Sequence, residues 1–291
     1  MTRAISFTQR GNVTGARQNE DAVTFIDEKH IKAGIVVDGA SSLSDTRIID
    51  TPEYSTDAQA YSHKMNDLLG QAVLDKNQSL HNILKNSIKE MSTWIDNFGT
   101  TPDRAFEFPS ASVALFRIVD DRLEGIALGD APLVIVKNDG QSMVFSVDHD
   151  QENFAALDKE LQKGLSIKET WQVIQPVIRR VRELMNSKQP GGYWIAAGDP
   201  SAADYAEMIT LPIKDVKYVA AFSDGFYEAA LGSGLFRDNI ELMDSLAKGE
   251  NPARIFQRIQ GILADDPYGK IYPRLKAAAD DGSVVFVSFA D

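Results

Sequence analysis

Gly34-Ile35-Val36-Val37-Asp38-Gly39-Ala40-Ser41-Ser42 is a short apolar run that stops at a carboxylate. Ile35, Val36 and Val37 suit a strand covered on both faces, and Asp38-Gly39 after them favours a turn. Alone, this is an ordinary strand end. The pattern repeats along the chain: Ala220-Ala221-Phe222-Ser223 runs into Asp224-Gly225, and Ile126-Ala127-Leu128-Gly129 runs into Asp130. Three apolar runs each deliver an aspartate where a buried strand would emerge into solvent.

Around these runs the hydrophobic period alternates between strand and helix. Residues 5–7, 22–26 and 31–37 read as strands, the last two joined by a polar connection, Asp27-Glu28-Lys29-His30. Residues 56–98 carry apolar side chains at spacings of three and four, which predicts two helices broken near Asp75-Lys76-Asn77. Residues 110–119, 123–128, 133–136 and 143–147 predict four successive strands in one antiparallel meander. Residues 153–188 are helical and charged, with interruptions expected at Gly164 and Pro176. Strands at 208–212 and 218–222, helices at 226–231, 239–247 and 252–263, and a final strand at 283–289 complete the pattern. Helix pairs inserted between antiparallel strands predict stacked sheets flanked by helices, an α+β architecture, and no Gly-rich dinucleotide or phosphate loop follows any strand.

The 291 residues, 43% of them hydrophobic, can bury a sizeable core. No repeat or linker divides them, so residues 1–291 are expected to form one domain. No apolar run approaches the roughly 20 residues that cross a bilayer. The N-terminal residues, with Arg3, Thr8, Gln9 and Arg10, lack a signal-peptide core, which predicts a cytoplasmic protein. A formal charge of −12 opposes nucleic-acid and anionic-membrane surfaces as partners. With zero cysteines, any metal must be held by oxygen or His. His30, His63, His81 and His149 show no ligand spacing and read as surface or cap residues, which leaves carboxylates. Trp94 falls on an apolar helical stripe, Tyr193-Trp194 is expected to pack an edge strand, and the basic residues of 168–182 read as a solvated helix face.

Carboxylates at strand ends that converge would suit hard divalent ions, which prefer oxygen ligands, and paired ions can activate a water for attack on phosphorus. The ordered series Asn19-Glu20-Asp21, Val37-Asp38-Gly39, Ser110-Ala111-Ser112-Val113-Ala114, Leu128-Gly129-Asp130, Phe222-Ser223-Asp224-Gly225 and Asp280-Asp281-Gly282-Ser283 resembles the type 2C, metal-dependent protein phosphatases. The motifs occur in family order over nearly the whole chain. The resemblance implies a four-layer α-β-β-α fold, a central antiparallel β-sandwich flanked by helices, with a helical flap-like insertion at about residues 148–190. It implies hydrolysis of phosphoserine and phosphothreonine in phosphoproteins, with Mn²⁺ or Mg²⁺ as cofactor and a serine/threonine kinase as counterpart.

By the same resemblance Asp38 bridges two ions, the Gly39 carbonyl binds one, and Asp224 and Asp280 hold the other, with Asp281 the competing candidate for the last position. Glu20 approaches the metals, Asp21 orients waters, and Asp130 with Glu228 matches a weaker third site. Arg17 would grip the phosphate, although it stands three residues before Glu20 where members often place an Arg four before. After Asp38-Gly39 some members carry a His as general acid and bacterial members often Met-Gly-Gly; this chain has Ala40-Ser41-Ser42. These departures motivate a second possibility, a pseudophosphatase that binds phosphoproteins, and a third is a phosphatase for a small phosphorylated metabolite.

Overall fold

In the computed structural model the described residues are 3–11, 18–44, 46–100, 102, 104–146, 151–161, 163–276 and 279–289. The founding stretch lies in β3 (Ile31–Gly39), which pairs antiparallel with β2 (Asp21–Glu28) and β4 (Ala111–Val119). Next to β4 comes β5 (Arg122–Leu128), then the edge strand β8 (Glu207–Pro212), which completes a five-stranded sheet ordered β2-β3-β4-β5-β8. The second sheet combines β1 (Arg3–Gln9), β10 (Gly282–Ser288), β9 (Val216–Phe222), β6 (Leu133–Lys137) and β7 (Ser142–Phe145), in that order.

Period-two alternation assigns each side chain to a layer. Ile31, Ala33, Ile35 and Val37 of β3 face outward, onto α1 (Asp57–Ala72) and α2 (Leu80–Asp96). Val36 points the other way, into the seam between the sheets, with Phe116, Leu133, Val219, Ala221 and Val285. On the far sheet Ala220, Phe222, Val284 and Phe286 face outward again, onto α5 (Asp224–Gly232), α6 (Asn239–Lys248) and α7 (Pro252–Ala264). Both faces of each central strand are therefore apolar, which is why the runs read as continuous rather than alternating. The result is the expected four-layer α-β-β-α sandwich. Gly34 is required by close approach: a Cβ there would fall on the Phe116 ring and Val285 across the seam.

Capping residues set the helix starts, as with Thr56 accepting from the Gln59 N–H and Ser79 from the Asn82 N–H. The break between α1 and α2 is held by Arg117 of β4, only 1% exposed. Its guanidinium pairs with Glu124 on β5 at 2.6 Å and donates to the carbonyls of Val73, Asp75 and Gln78. A buried cation thus satisfies the end of one helix and the turn that follows.

Several expectations are corrected. Residues 110–147 do not form one meander: β4 and β5 lie in one sheet and β6 and β7 in the other, and the chain crosses the sandwich at Asp130. A glycine with φ +84°, Gly129, makes that crossing possible. Between α3 (Gln151–Leu161) and α4 (Ile167–Arg182) the chain does break near Gly164, but Pro176 lies inside α4. Burial of Ile167, Ile174, Ile178 and Val181, about 1.5–3 kcal/mol each, outweighs the roughly 3 kcal/mol that an internal proline costs. Tyr193 and Trp194 belong to no extended strand. Tyr193 is buried against Ala40 and Met185, and Trp194 stacks on Tyr205 with ring centroids 3.6 Å apart. His63 is half-buried with its ring 5.7 Å from that of Tyr54, because α1 turns it toward β2 rather than to solvent, and burial lowers its pKa. His149 lies outside the described residues. Trp94 packs against the outer core, as expected.

Candidate active site

Strand register brings the first carboxylates together. Asp38 stands directly opposite Asp21 on β2 and opposite Ser112 on β4, so three polar residues form a row across the end of one sheet. Asp224 arrives from the other sheet, at the first turn of α5 immediately after β9, and its backbone N–H donates to Asp38 Oδ2 at 3.3 Å. Asp130 joins from the crossing between sheets, where Ser112 Oγ donates to its Oδ1 at 2.5 Å. Asp280, just before β10, and Glu228, one helical turn after Asp224, line the same cleft, whose volume is about 160 Å³.

The carboxyls repel one another. Asp38 and Asp224 keep part of their surface open to the cleft yet are ringed by protein, and this desolvation holds both well above the ordinary carboxylate value. Repulsion adds to it, for Asp38 from Asp21, Asp130 and Asp280, and for Asp224 from Asp38, Asp130, Asp280 and Glu228. The amino end of α5 favours a negative charge at Asp224 but does not offset these effects.

Glu20 and Asp281 do different work. Glu20 is buried, and its carboxylate accepts from Ser41 Oγ at 2.7 Å and Thr56 Oγ1 at 2.8 Å. Asp281 is buried too, and accepts from the backbone N–H groups of Gly11 at 2.8 Å and Glu20 at 2.7 Å. Asp281 therefore ties β10 to the segment before β2, while its neighbour Asp280 faces the cleft. Asp21 does not line the cleft; its carboxyl accepts from Ser283 Oγ at 2.7 Å, and burial followed by repulsion from Asp281 raises its pKa. Gly39 is pinned by its surroundings, since a Cβ would stand 2.5 Å from the Glu20 carbonyl oxygen and 2.8 Å from that of Ala58. Arg17 lies outside the described residues.

Basic residues in and beside the cleft match no motif. Arg182 of α4, expected on a solvated face, donates to the Ser41 carbonyl at 2.5 Å, and Arg179 one turn earlier donates to the Leu43 carbonyl at 3.0 Å. Lys276 pairs with Asp280 and donates to Ser41 Oγ at 3.2 Å. Ser41 is thus the point where the loop after Asp38 meets α4, the Glu20 carboxylate and Lys276. The spacing of four between Lys276 and Asp280 is legible in the sequence but belongs to no motif.

The donor set is all oxygen, as a hard divalent ion prefers, and the mutual repulsion of Asp38 and Asp224 is what such an ion would offset. Among the described residues, no group of three or more His, Cys, Asp or Glu side chains is arranged to hold a metal ion.

Two antiparallel five-stranded sheets flanked by helices are the fold of the type 2C serine/threonine phosphatases. Serine/threonine phosphatase Stp1 from Staphylococcus aureus superposes with a TM-score of 0.56 at 15% identity, over 100% of this chain and 96% of that one. The catalytic domain of PstP in complex with 2 manganese ions gives 0.54 at 13%, over 100% and 99%. RsbX in complex with magnesium gives 0.51 at 10%, over 99% and 96%. No family model and no curated sequence matches the chain.

Proposed function

We propose that the chain is a metal-dependent phosphatase that hydrolyses phosphoserine and phosphothreonine in phosphoproteins. The observation that supports this reading is the meeting of Asp38 from one sheet with Asp224 and Asp280 from the other, across a cleft whose fold neighbours include phosphatases. In this reading Asp38, the Gly39 carbonyl, Asp224 and Asp280 would hold the divalent ions, Glu20 would approach them directly or through water, and Asp130 with Glu228 would offer a weaker further position. Mn²⁺ or Mg²⁺, when bound, supplies Lewis-acid activation of a water and charge neutralisation at phosphorus. The chain itself supplies position. Register fixes Asp38 beside Asp21, Ser112 orients Asp130, Ser41 and Thr56 orient Glu20, and Lys276 must leave Asp280 for that carboxylate to become a ligand. Asp21 is placed to orient water, a serine/threonine kinase supplies the substrate, and the compartment is the cytoplasm.

Purified protein should release phosphate from a phosphothreonine peptide with Mn²⁺ added, and lose that activity in EDTA and in Asp38→Asn or Asp224→Asn. Metal-independent turnover, or full activity in either variant, would end this reading. The Lys276–Asp280 pair favours one competitor, a phosphoprotein-binding module without catalysis. Calorimetry separates the two: heat of Mn²⁺ binding supports the enzyme, whereas a metal-blind protein that still binds phosphopeptide supports the module.

A further inference from the structure

The cleft that gathers Asp38, Asp130, Asp224, Glu228 and Asp280 has to admit a doubly charged phosphate, and its walls also carry cations. Among the described residues three basic side chains line it: Arg182, Arg274 and Lys276. Arg274 is committed elsewhere. It is buried, pairs with Asp266 at 3.3 Å and donates to the carbonyls of Leu263, Asp266 and Tyr272. Arg182 and Lys276 converge instead on one residue, Ser41, the former through its carbonyl and the latter through its hydroxyl. They approach it from different elements, α4 of the helical insertion and the segment before β10, and Ser41 is only three residues beyond Asp38.

We propose that Arg182 and Lys276, gathered around Ser41, form the seat for the substrate's phosphoryl oxygens, so that the phosphate grip comes from the helical insertion. This assignment rests on the phosphatase reading of the cleft. A single N–H of the Arg182 fork is engaged by the Ser41 carbonyl, and a guanidinium offers five donors in a plane that matches two phosphate oxygens at once. Lys276 contributes a compact charge on a flexible stem, and exchanging Asp280 for a phosphoryl oxygen would also free that carboxylate. The loop Ala40-Ser41-Ser42, where the chain leaves the family pattern, then has a purpose. Its carbonyl and hydroxyl locate both cations, and the hydroxyl is itself held by Glu20.

The test is calorimetric titration of the full chain with inorganic phosphate in the presence of Mg²⁺, alongside the Mg²⁺ affinity itself. Arg182→Ala and Lys276→Met should each weaken phosphate binding about tenfold, the scale of one charge-assisted contact, with Mg²⁺ affinity retained in Arg182→Ala and retained or improved in Lys276→Met. Arg182→Lys should recover part of the loss. Arg179→Ala, which releases the neighbouring loop carbonyl of Leu43 but removes no cleft charge, should bind phosphate as the parent does. On a phosphopeptide the losses should fall on KM more than on kcat. Phosphate affinity within twofold of the parent in Arg182→Ala overturns the assignment, as does an equal loss in Arg179→Ala, or a parent protein that does not bind phosphate. An unchanged Lys276→Met removes Lys276 from the seat. If the variants behave as stated but no phosphopeptide is cleaved, the hydrolase reading fails and the phosphate seat stands.

Discussion

Replacing Gly39 by Ala adds one methyl group at the most confined backbone position of the site. The new Cβ would stand 2.5 Å from the Glu20 carbonyl oxygen and 2.8 Å from that of Ala58, and both obstacles are backbone. Restoring ordinary separations of about 3.5 Å requires β3 to shift by close to 1 Å against the segment before β2 and against α1. Overpacking of this kind costs about 1–3 kcal/mol, which for a chain of this size lowers the unfolding midpoint by roughly 2–10 °C. The consequence for catalysis is larger, because Asp38 is the adjacent residue and a misplacement of about 1 Å costs on the order of 10²-fold in rate. Steady-state hydrolysis of a phosphothreonine peptide with saturating Mn²⁺, measured at 25 °C where the variant is still folded, should show that loss in kcat. A variant with a lowered midpoint but kcat within about threefold of the parent would refute the claim that this backbone contact positions the chemistry.

Asp38→Asn should raise the unfolding midpoint of the protein in EDTA while abolishing the further rise that Mg²⁺ gives the parent. The sign follows from burial and the neighbouring carboxylates, which hold Asp38 above its ordinary value of 3.8. Such a group contributes most below 3.8 and loses that contribution as pH rises through the raised value. Between those limits the parent's Asp38-linked stability in EDTA should therefore increase on acidification, and Asp38→Asn should flatten the profile. Asp281→Ala, which strands two buried backbone N–H groups, should destabilise by about 2–4 kcal/mol in chemical denaturation, whereas Asp280→Ala should leave stability nearly intact and weaken Mn²⁺ binding in calorimetry. Arg117→Met should lose about 3–5 kcal/mol with normal activity per folded molecule, since Arg117 anchors the α1–α2 turn away from the cleft.

Much of the layering was readable because it depends on local period. Ile35-Val36-Val37 and Ala220-Ala221-Phe222 announce strands covered on both faces, and Ile83, Leu84, Ile88 and Met91 announce the buried stripe of α2. Sheet membership was not readable. Leu123–Leu128 and Leu133–Val136 follow each other after a turn, as hairpin strands would, and only the packing of Leu133 and Ile135 into the seam shows that the second has changed sheet. In the site, the aspartates at strand ends were legible because each needs only its own strand to place it. Arg182, Ser41 and Lys276 were not, since 141 residues separate the first two and 235 the last two. Asp280 and Asp281 are adjacent and chemically alike, and only the hydrogen bonds of Asp281 to Gly11 and Glu20 distinguish the clasp from the cleft residue.

The two sheets are joined in two unlike ways. Along the middle of the sandwich they adhere through Val36, Phe116, Val219 and Val285, contacts indifferent to pH and ionic strength. At the acidic end they are stitched by polar contacts: the Asp224 N–H to Asp38, Ser283 to Asp21, and Asp281 to the Glu20 N–H. Slippage of one sheet over the other would alter the Asp38 to Asp224 separation. Amide exchange at Glu20 and Asp224 would report that motion, and an ion held between the sheets would act as a rivet that slows it.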